Sequence, residues 1–128
     1  MDGNDYLMIA IGIDIQSVDE FAAASSLIES NLCFTEAERV HGERATSGAI
    51  VSLAGIFAAK EALLKALPTR PLCYWDDIEV LHDSSGRPVF RFYGELARWI
   101  DALHWSATPS ISHSGNYALA VAIVDHDK

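Results

Sequence analysis

The 128-residue chain is long enough for a domain with a modest core, and half of its residues are hydrophobic, which excludes a disordered chain. The net charge is −9, and residues 1–38 hold many acidic residues but no lysine or arginine. This distribution opposes nucleic-acid binding, which requires clustered cations. No apolar stretch reaches about 18 residues, so no membrane span is predicted.

Cysteine usage and the first residues bear on the cell compartment. Cys33 and Cys73 form no Cys-x-x-Cys pair, and the acidic N-terminus lacks the basic start of a secretory signal. We therefore expect reduced thiols and a cytoplasmic protein. No linker, repeat or low-complexity segment interrupts the sequence, so residues 1–128 are predicted to form a single domain.

The first predicted element is a strand over residues 8–15, in which isoleucine alternates with smaller residues. Ala10, Gly12 and Asp14 share its second face. Because these side chains are short, we expect that face to pack closely against another element.

Three helices are predicted next, near residues 18–30, 35–42 and 50–67. The first two begin with the capping-box pattern, Ser17 with Glu20 and Thr35 with Glu38. Pro68 cannot continue the third helix and is predicted to end it. The third helix is strongly apolar and is expected to be buried.

The remaining elements are strands 77–83 and 88–93, a short helix over 94–104, and a hairpin formed by 107–114 and 117–125. The order β-α-α-α-β-β-α-β-β predicts an α+β fold. We expect a mostly antiparallel sheet packed on one long buried helix.

Two acidic residues lie in very different settings. Asp14 is in the apolar strand, where a charge is costly unless it is paired, hydrogen-bonded or bound to a cation. Glu61 is in the long helix, flanked by Lys60 and Lys65. Two carboxylates suit a hard divalent cation, and the lysines suit an accompanying phosphate. We therefore expect a magnesium-dependent enzyme with a phosphorylated substrate.

Simpler interpretations exist for both acids. Asp14 could cap the helix that follows the strand. Glu61 could form a surface ion pair with Lys65, one helical turn away, which is worth only about 0.3–0.5 kcal/mol.

A third constellation lies in the last predicted hairpin. Ser112 and Ser114 face one way and His113 the other, and with Gly115 they could cradle a phosphate through backbone N–H groups. Hydroxyl-rich hairpins are common, so this signal is weak alone. The sequence has no Gly-x-Ser-x-Gly motif of the hydrolase type. The other histidines show no metal-ligand spacing.

Six motifs follow one another through the chain: Gly12-Ile-Asp-Ile15, Phe34-Thr-Glu-Ala-Glu38, the long helix from Leu53 to Ala66, Trp75-Asp-Asp-Ile-Glu79, Gly86-Arg-Pro88 and Ser110-Ile-Ser-His113. Each is modest alone. Their order and spacing resemble the holo-acyl-carrier-protein synthase group of 4′-phosphopantetheinyl transferases, over about residues 11–124.

The resemblance implies that the protein moves the phosphopantetheine arm of coenzyme A onto a serine of an apo carrier protein, releasing adenosine 3′,5′-bisphosphate. It implies that Asp14 and Glu61 are Mg²⁺ ligands and that Lys65 neutralises charge on the transferred phosphate. The serine proton would pass either to Glu61 or to a metal-bound water.

The resemblance also places His113 near the nucleotide end of coenzyme A, with hydroxyl contacts from Ser112 and Ser114. The resemblance also implies a homotrimer with active sites between subunits, as in the small members of the group. Asp14, Glu61 and Lys65 are therefore expected to meet His113 of a neighbouring chain.

The sequence departs from the family pattern at the positions expected to dock the carrier. Glu20 stands where an arginine is expected, Ile56 where another arginine is usual, Thr46-Ser-Gly48 where a basic cluster is usual, and Gly115 where lysine is frequent. Repulsion between Glu20 and an acidic carrier helix would lower specificity and association rate.

Two hypotheses follow from this contrast. The protein could be an active transferase for an atypical carrier with a neutral or basic docking face, in a secondary-metabolite or lipid pathway rather than housekeeping fatty-acid biosynthesis. Alternatively, it could be a non-catalytic member that serves as an oligomeric binding module. The retained Asp14, Glu61 and Lys65 favour the first.

Overall fold

The structure, a computed structural model, describes residues 8–29, 32–69 and 72–126. The strands are β1 (Met8–Ser17), β2 (Ile78–His82), β3 (Pro88–Phe92), β4 (Trp105–Ser114) and β5 (Tyr117–His126). The helices are α1 (Val18–Ala23), α2 (Ser25–Glu29), α3 (Glu36–Arg44), α4 (Ala49–Ala66) and α5 (Gly94–Ala102), with a 3₁₀ turn at Trp75–Asp77.

Two antiparallel sheets are present in the described residues, a three-stranded sheet in the order β1-β5-β4 and the hairpin β2-β3. The predicted α+β class and antiparallel pairing are thereby confirmed. Helix α4 packs across the inner face of the larger sheet, where β5 presents Ala118, Ala120, Ala122 and Val124. Most residues of α4 are buried.

Gly12 brings β1 into direct backbone contact with α4. A Cβ atom at this position would lie only 1.8 Å from the carbonyl oxygen of Ala62 and 2.9 Å from the amide nitrogen of Ala66. No larger residue fits without moving the strand off the helix. The close packing predicted for this face of β1 is confirmed.

The opposite face of the larger sheet, here called the outer face, is apolar and exposed. The β1 isoleucines are 56–66% exposed, and each pairs across the ladder with β5. The outer face comprises Ile9, Ile11, Ile13 and Ile15 of β1, Tyr117, Leu119, Val121 and Ile123 of β5, and the hydroxyl row Ser106, Thr108, Ser110, Ser112 and Ser114 of β4.

The helix starts that the sequence predicted after Ser17 and Thr35 are confirmed, because both residues cap a helix in the structure. The Ser17 hydroxyl accepts a hydrogen bond from the Glu20 amide, and Thr35 with Glu38 forms a complete capping box. The first helix is broken at Ala24 into α1 and α2, and its expected end at Ser30 lies outside the described residues. In the described segments, no helix has both the length and the hydropathy needed to cross a bilayer.

Candidate active site

Asp14 and Lys65 are brought together by the contact between β1 and α4. The Lys65 Nζ atom donates to Asp14 Oδ1 and to the Ile13 carbonyl oxygen, both at 3.0 Å. The Lys65 side chain is 53% exposed, whereas that of Asp14 is only 11% exposed. The carboxylate is thus held at the surface by a cation that remains open to solvent.

Gln16 holds the other carboxylate oxygen. Its Nε2 atom donates to Asp14 Oδ2 at 2.7 Å. This contact was not predicted, although the period of two along a strand places residues 14 and 16 on the same face. The two hydrogen bonds together fix the orientation of the Asp14 carboxylate.

Glu61 lies on the turn of α4 that packs against β1. It directly precedes Ala62, whose carbonyl oxygen meets Gly12, and its side chain is half-buried. The two candidate carboxylates therefore come from adjoining elements at one corner of the molecule. The alternative that Asp14 caps the next helix is wrong, because Ser17 fills that role.

A cavity of about 440 Å³ opens beside this corner. Asp14 and Lys65 line it together with Ile13, Ile15 and Leu119. The last three residues belong to the outer face of the sheet. The surface around Asp14 and Lys65 is therefore continuous with the apolar outer face.

Lys60 does not take part in this site, and the expectation that it binds the phosphate of a cofactor is wrong. Its side chain is fully buried, and Nζ donates to Cys33 O at 2.7 Å, Glu38 Oε1 at 2.8 Å and Trp75 O at 3.2 Å. All three ammonium hydrogens are used inside the protein. Burial lowers the pKa of Lys60, and the neighbouring Glu38 carboxylate partly restores it.

His113 lies at the other end of α4. Its Nε2 atom is 3.2 Å from the Val51 carbonyl oxygen, and a Cβ atom on Gly55 would lie 2.8 Å from it. Gly55 and Lys65 are ten residues apart, or about 15 Å along the helix. Strands β1 and β4 also form opposite edges of the sheet. Within one chain, His113 therefore lies away from the Asp14 cavity.

Ser112 and Ser114 are exposed and lie in the hydroxyl row of the outer face. His113 alternates with them and packs on α4. The predicted opposite orientation of the hydroxyls and the imidazole is therefore confirmed.

Asp14 and Glu61 are the candidate ligands for Mg²⁺. Among the described residues, no group of three or more histidine, cysteine or acidic side chains could hold a metal ion. Mg²⁺ commonly takes only one or two carboxylates and completes its shell with water and substrate phosphates. Asp14 offers one carboxylate at the surface cavity and Glu61 a second on the adjoining turn of α4, so these residues fit such an ion when a phosphate accompanies it.

Comparison with known proteins identifies a family. Residues 10–122 match the family model of the 4′-phosphopantetheinyl transferase superfamily. A holo-[acyl-carrier-protein] synthase of Streptomyces avermitilis is 37% identical over 125 residues, covering 92% of this chain and 98% of that protein.

Two solved structures have the same fold. The Chronobacterium ammoniagenes ACPS–CoA complex is 30% identical with a TM-score of 0.81, covering 94% of this chain and 99% of that one. The Helicobacter pylori holo-[acyl-carrier-protein] synthase in complex with coenzyme A is 27% identical with a TM-score of 0.74, covering 89% and 98%. The chain thus belongs to the holo-acyl-carrier-protein synthase family of 4′-phosphopantetheinyl transferases and is a transferase.

Proposed function

We propose that the chain is a single transferase domain that moves the 4′-phosphopantetheine arm of coenzyme A to a serine of an apo carrier protein. Adenosine 3′,5′-bisphosphate is the other product. The observation that carries this proposal is the convergence of Asp14 and Lys65, beside Glu61, at one surface cavity. An ammonium and a carboxylate at one cavity, with a second carboxylate on the adjoining helix turn, can bind a diphosphate and a divalent cation together.

In this proposal Asp14 and Glu61 hold Mg²⁺, which would polarise the diphosphate of coenzyme A when bound. Gln16 keeps the Asp14 carboxylate oriented through its hydrogen bond to Oδ2. The fixed carboxylate lowers the cost of organising the site when substrate arrives.

Lys65 neutralises negative charge on the phosphate that is transferred. Its ammonium group is half-exposed, so it can turn from Asp14 toward an incoming phosphate without leaving the cavity. The serine hydroxyl of the carrier attacks the phosphorus atom, and the bond to the adenosine 5′-phosphate breaks. Glu61 or a water accepts the serine proton.

His113 is proposed to contact the nucleotide end of coenzyme A, with Ser112 and Ser114 adding hydroxyl contacts. These residues come from a neighbouring chain in a homotrimer, because His113 packs on Gly55, which lies about 15 Å along α4 from Lys65 of the same chain. The exposed outer face supports assembly, since contiguous apolar surface of this kind marks an interface. The Asp14 cavity is also lined by three residues of the outer face, Ile13, Ile15 and Leu119. A second chain packed on that face would therefore form one side of the site.

Assembly is tested by sedimentation equilibrium, in which three chain masses are expected. Ile11→Glu, on the outer face, should dissociate the assembly and lower activity. Leu72→Glu is the matched control, because Leu72 is 96% exposed and lies outside the outer face. A fully active monomer would contradict the intersubunit site.

The carrier is proposed to present a neutral or basic docking face. Glu20 lies exposed on α1, directly after the strand that carries Asp14. A negative side chain at this place favours an atypical carrier over an acidic one.

The decisive test incubates the protein with coenzyme A, Mg²⁺ and a panel of apo-carriers, and detects the phosphopantetheine adduct by intact mass spectrometry. Asp14→Asn should abolish the adduct while circular dichroism shows the fold unchanged. Asp101→Asn, an exposed acid on α5, is the control. Undiminished transfer by Asp14→Asn would refute the assignment, and no transfer by the wild type to any carrier would favour a non-catalytic binding module.

A further inference from the structure

The Lys65 ammonium group is paired with the carboxylate that the proposed cation site needs. Asp14 Oδ1 accepts from Lys65 Nζ at 3.0 Å, and Asp14 Oδ2 accepts from Gln16 Nε2 at 2.7 Å. The Asp14 side chain is only 11% exposed. A carboxylate with so little access to water is costly unless it is paired, and here the chain supplies the cation itself. Lys65 is therefore an internal counter-ion of Asp14.

The two partners of Asp14 are held differently. Gln16 is half-buried and lies on the same strand and the same face as Asp14. Lys65 reaches across from α4, and its side chain is 53% exposed. Its second acceptor is a backbone atom, the Ile13 carbonyl oxygen at 3.0 Å. Exposed ion pairs are weak because water and salt screen them, so a ligand displaces Lys65 more easily than Gln16.

A divalent cation and Lys65 would compete for the Asp14 carboxylate. The ammonium nitrogen lies 3.0 Å from Oδ1, so a second cation on this carboxylate would be repelled. Repulsion between unit charges about 4 Å apart is significant even in water, and it doubles for a divalent ion. A diphosphate in the adjoining cavity would remove the conflict, because it offers anionic oxygens to both cations. Lys65 lines that cavity together with Asp14, so its ammonium group can contact a ligand there.

We propose that Lys65 holds the Asp14 carboxylate closed to a divalent cation until the diphosphate of coenzyme A draws the ammonium group away. This inference rests on the proposed function, which places the diphosphate in the Asp14 cavity. Binding of the cation and binding of coenzyme A are then coupled, and by linkage each raises the affinity for the other. The free protein keeps Asp14 paired and takes up the cation together with its substrate.

The test measures binding of Mn²⁺, used in place of Mg²⁺, by electron paramagnetic resonance of the free ion without coenzyme A. Lys65→Met removes the ammonium group, and its affinity for Mn²⁺ should be about tenfold higher than that of the wild type. Circular dichroism verifies the fold. The double variant Asp14→Asn/Lys65→Met should lose the gain, because the gain depends on the Asp14 carboxylate. An unchanged affinity in Lys65→Met, or a gain retained in the double variant, would overturn the inference.

Arg98→Met is the matched control. Arg98 and Glu95 form an ion pair on α5 whose side chains are 70% and 78% exposed, and neither residue lines the Asp14 cavity. The variant loses the same single positive charge and also removes the cation from a surface carboxylate. Its affinity for Mn²⁺ should equal that of the wild type, since salt screens the exposed charge. An equal gain in Arg98→Met would trace the effect to net charge alone and would overturn the inference.

A measurement on the wild type alone requires no variant. The chain has only three lysines, so their side-chain signals are readily assigned by nuclear magnetic resonance. Coenzyme A is added in the presence of EDTA, without a divalent cation. The signals of the Lys65 ammonium group and of the Asp14 carboxyl carbon should both shift as the pair separates. The Lys60 signal should not shift, because that side chain is 0% exposed. An unshifted Asp14 signal would overturn the inference.

The outcomes also separate this inference from the proposed function. If Lys65→Met gained no affinity for Mn²⁺ while the wild type still modified a carrier, the inference would be overturned and the proposed function would stand. If Lys65→Met gained affinity while the wild type modified no carrier, the competition at Asp14 would be supported and the proposed function refuted.

Discussion

Helix α4 carries two lysines, five residues apart, and each pairs with a carboxylate of another element. The two pairs have similar N···O distances but differ in burial. The Lys60–Glu38 pair has an N···O distance of 2.8 Å and both side chains are 0% exposed. The Lys65–Asp14 pair has an N···O distance of 3.0 Å, and the side chains are 53% and 11% exposed. Similar contact geometry therefore accompanies two very different environments.

The difference separates a pair that is closed to ligands from one that is open to them. Glu38 accepts from Lys60, from the Thr35 amide and from the Val80 amide, so it ties α3, α4 and β2 together. No hydrogen of the Lys60 ammonium is left for a ligand. The Lys65–Asp14 pair borders a cavity, and its half-exposed ammonium group remains open to a ligand. Burial, rather than the presence of an ion pair, decides which lysine can act on a substrate.

The largest expected effect is on the stability of the buried pair. Lys60→Met leaves the Glu38 carboxylate buried without its cation and should lower the free energy of unfolding by about 3–5 kcal/mol. Urea denaturation measures this change. Lys65→Met, at the same helix, is the control and should change stability by at most about 0.5 kcal/mol. Equal losses in the two variants would remove the distinction between the pairs.

The second-largest expected effect is on transfer activity, for which Lys65 is the sensitive lysine. Lys65→Met should lower the rate of phosphopantetheine transfer about 10²–10³-fold, because a cation that stabilises the transferring phosphate is lost. Steady-state kinetics with coenzyme A and a carrier measure it, with circular dichroism to verify the fold. Lys65→Arg should recover only part of the rate, since the two cations differ in shape and donors. Full activity of Lys65→Met would contradict the proposed role.

The smallest effect should arise outside both pairs, on α1. Glu20→Arg should raise the transfer rate to an acidic carrier a few-fold at low ionic strength, and the gain should fade as salt screens the charge. Asp101→Arg makes the same charge change on α5 and should give no gain. If Glu20→Arg also gave none, α1 would not be the docking surface.

Local signals predicted much of this fold. The Thr35–Glu38 capping box and Pro68 are short-range patterns, and α3 and α4 begin or end where those patterns place them. The break at Ala24 was not predicted, because the apolar pattern continues through it. Order and spacing of the motifs correctly indicated the family.

The site was only partly predictable. The ion pair of Asp14 with Lys65 joins residues 51 positions apart and was not predicted. The sequence indicated only that the two residues belong to one site, and Lys60 was misassigned to that site. A helix that is apolar on most sides has no pattern that tells which of two lysines points inward.

The absence of a side chain at Gly12 has a consequence for engineering. With no side-chain layer between the strand and the helix at Gly12, the backbones that carry Asp14 and Lys65 are in direct contact. Helix α1 starts only after this contact, at the end of β1. If α1 docks the carrier as proposed, carrier preference can be redesigned there while Asp14 and Lys65 keep their spacing.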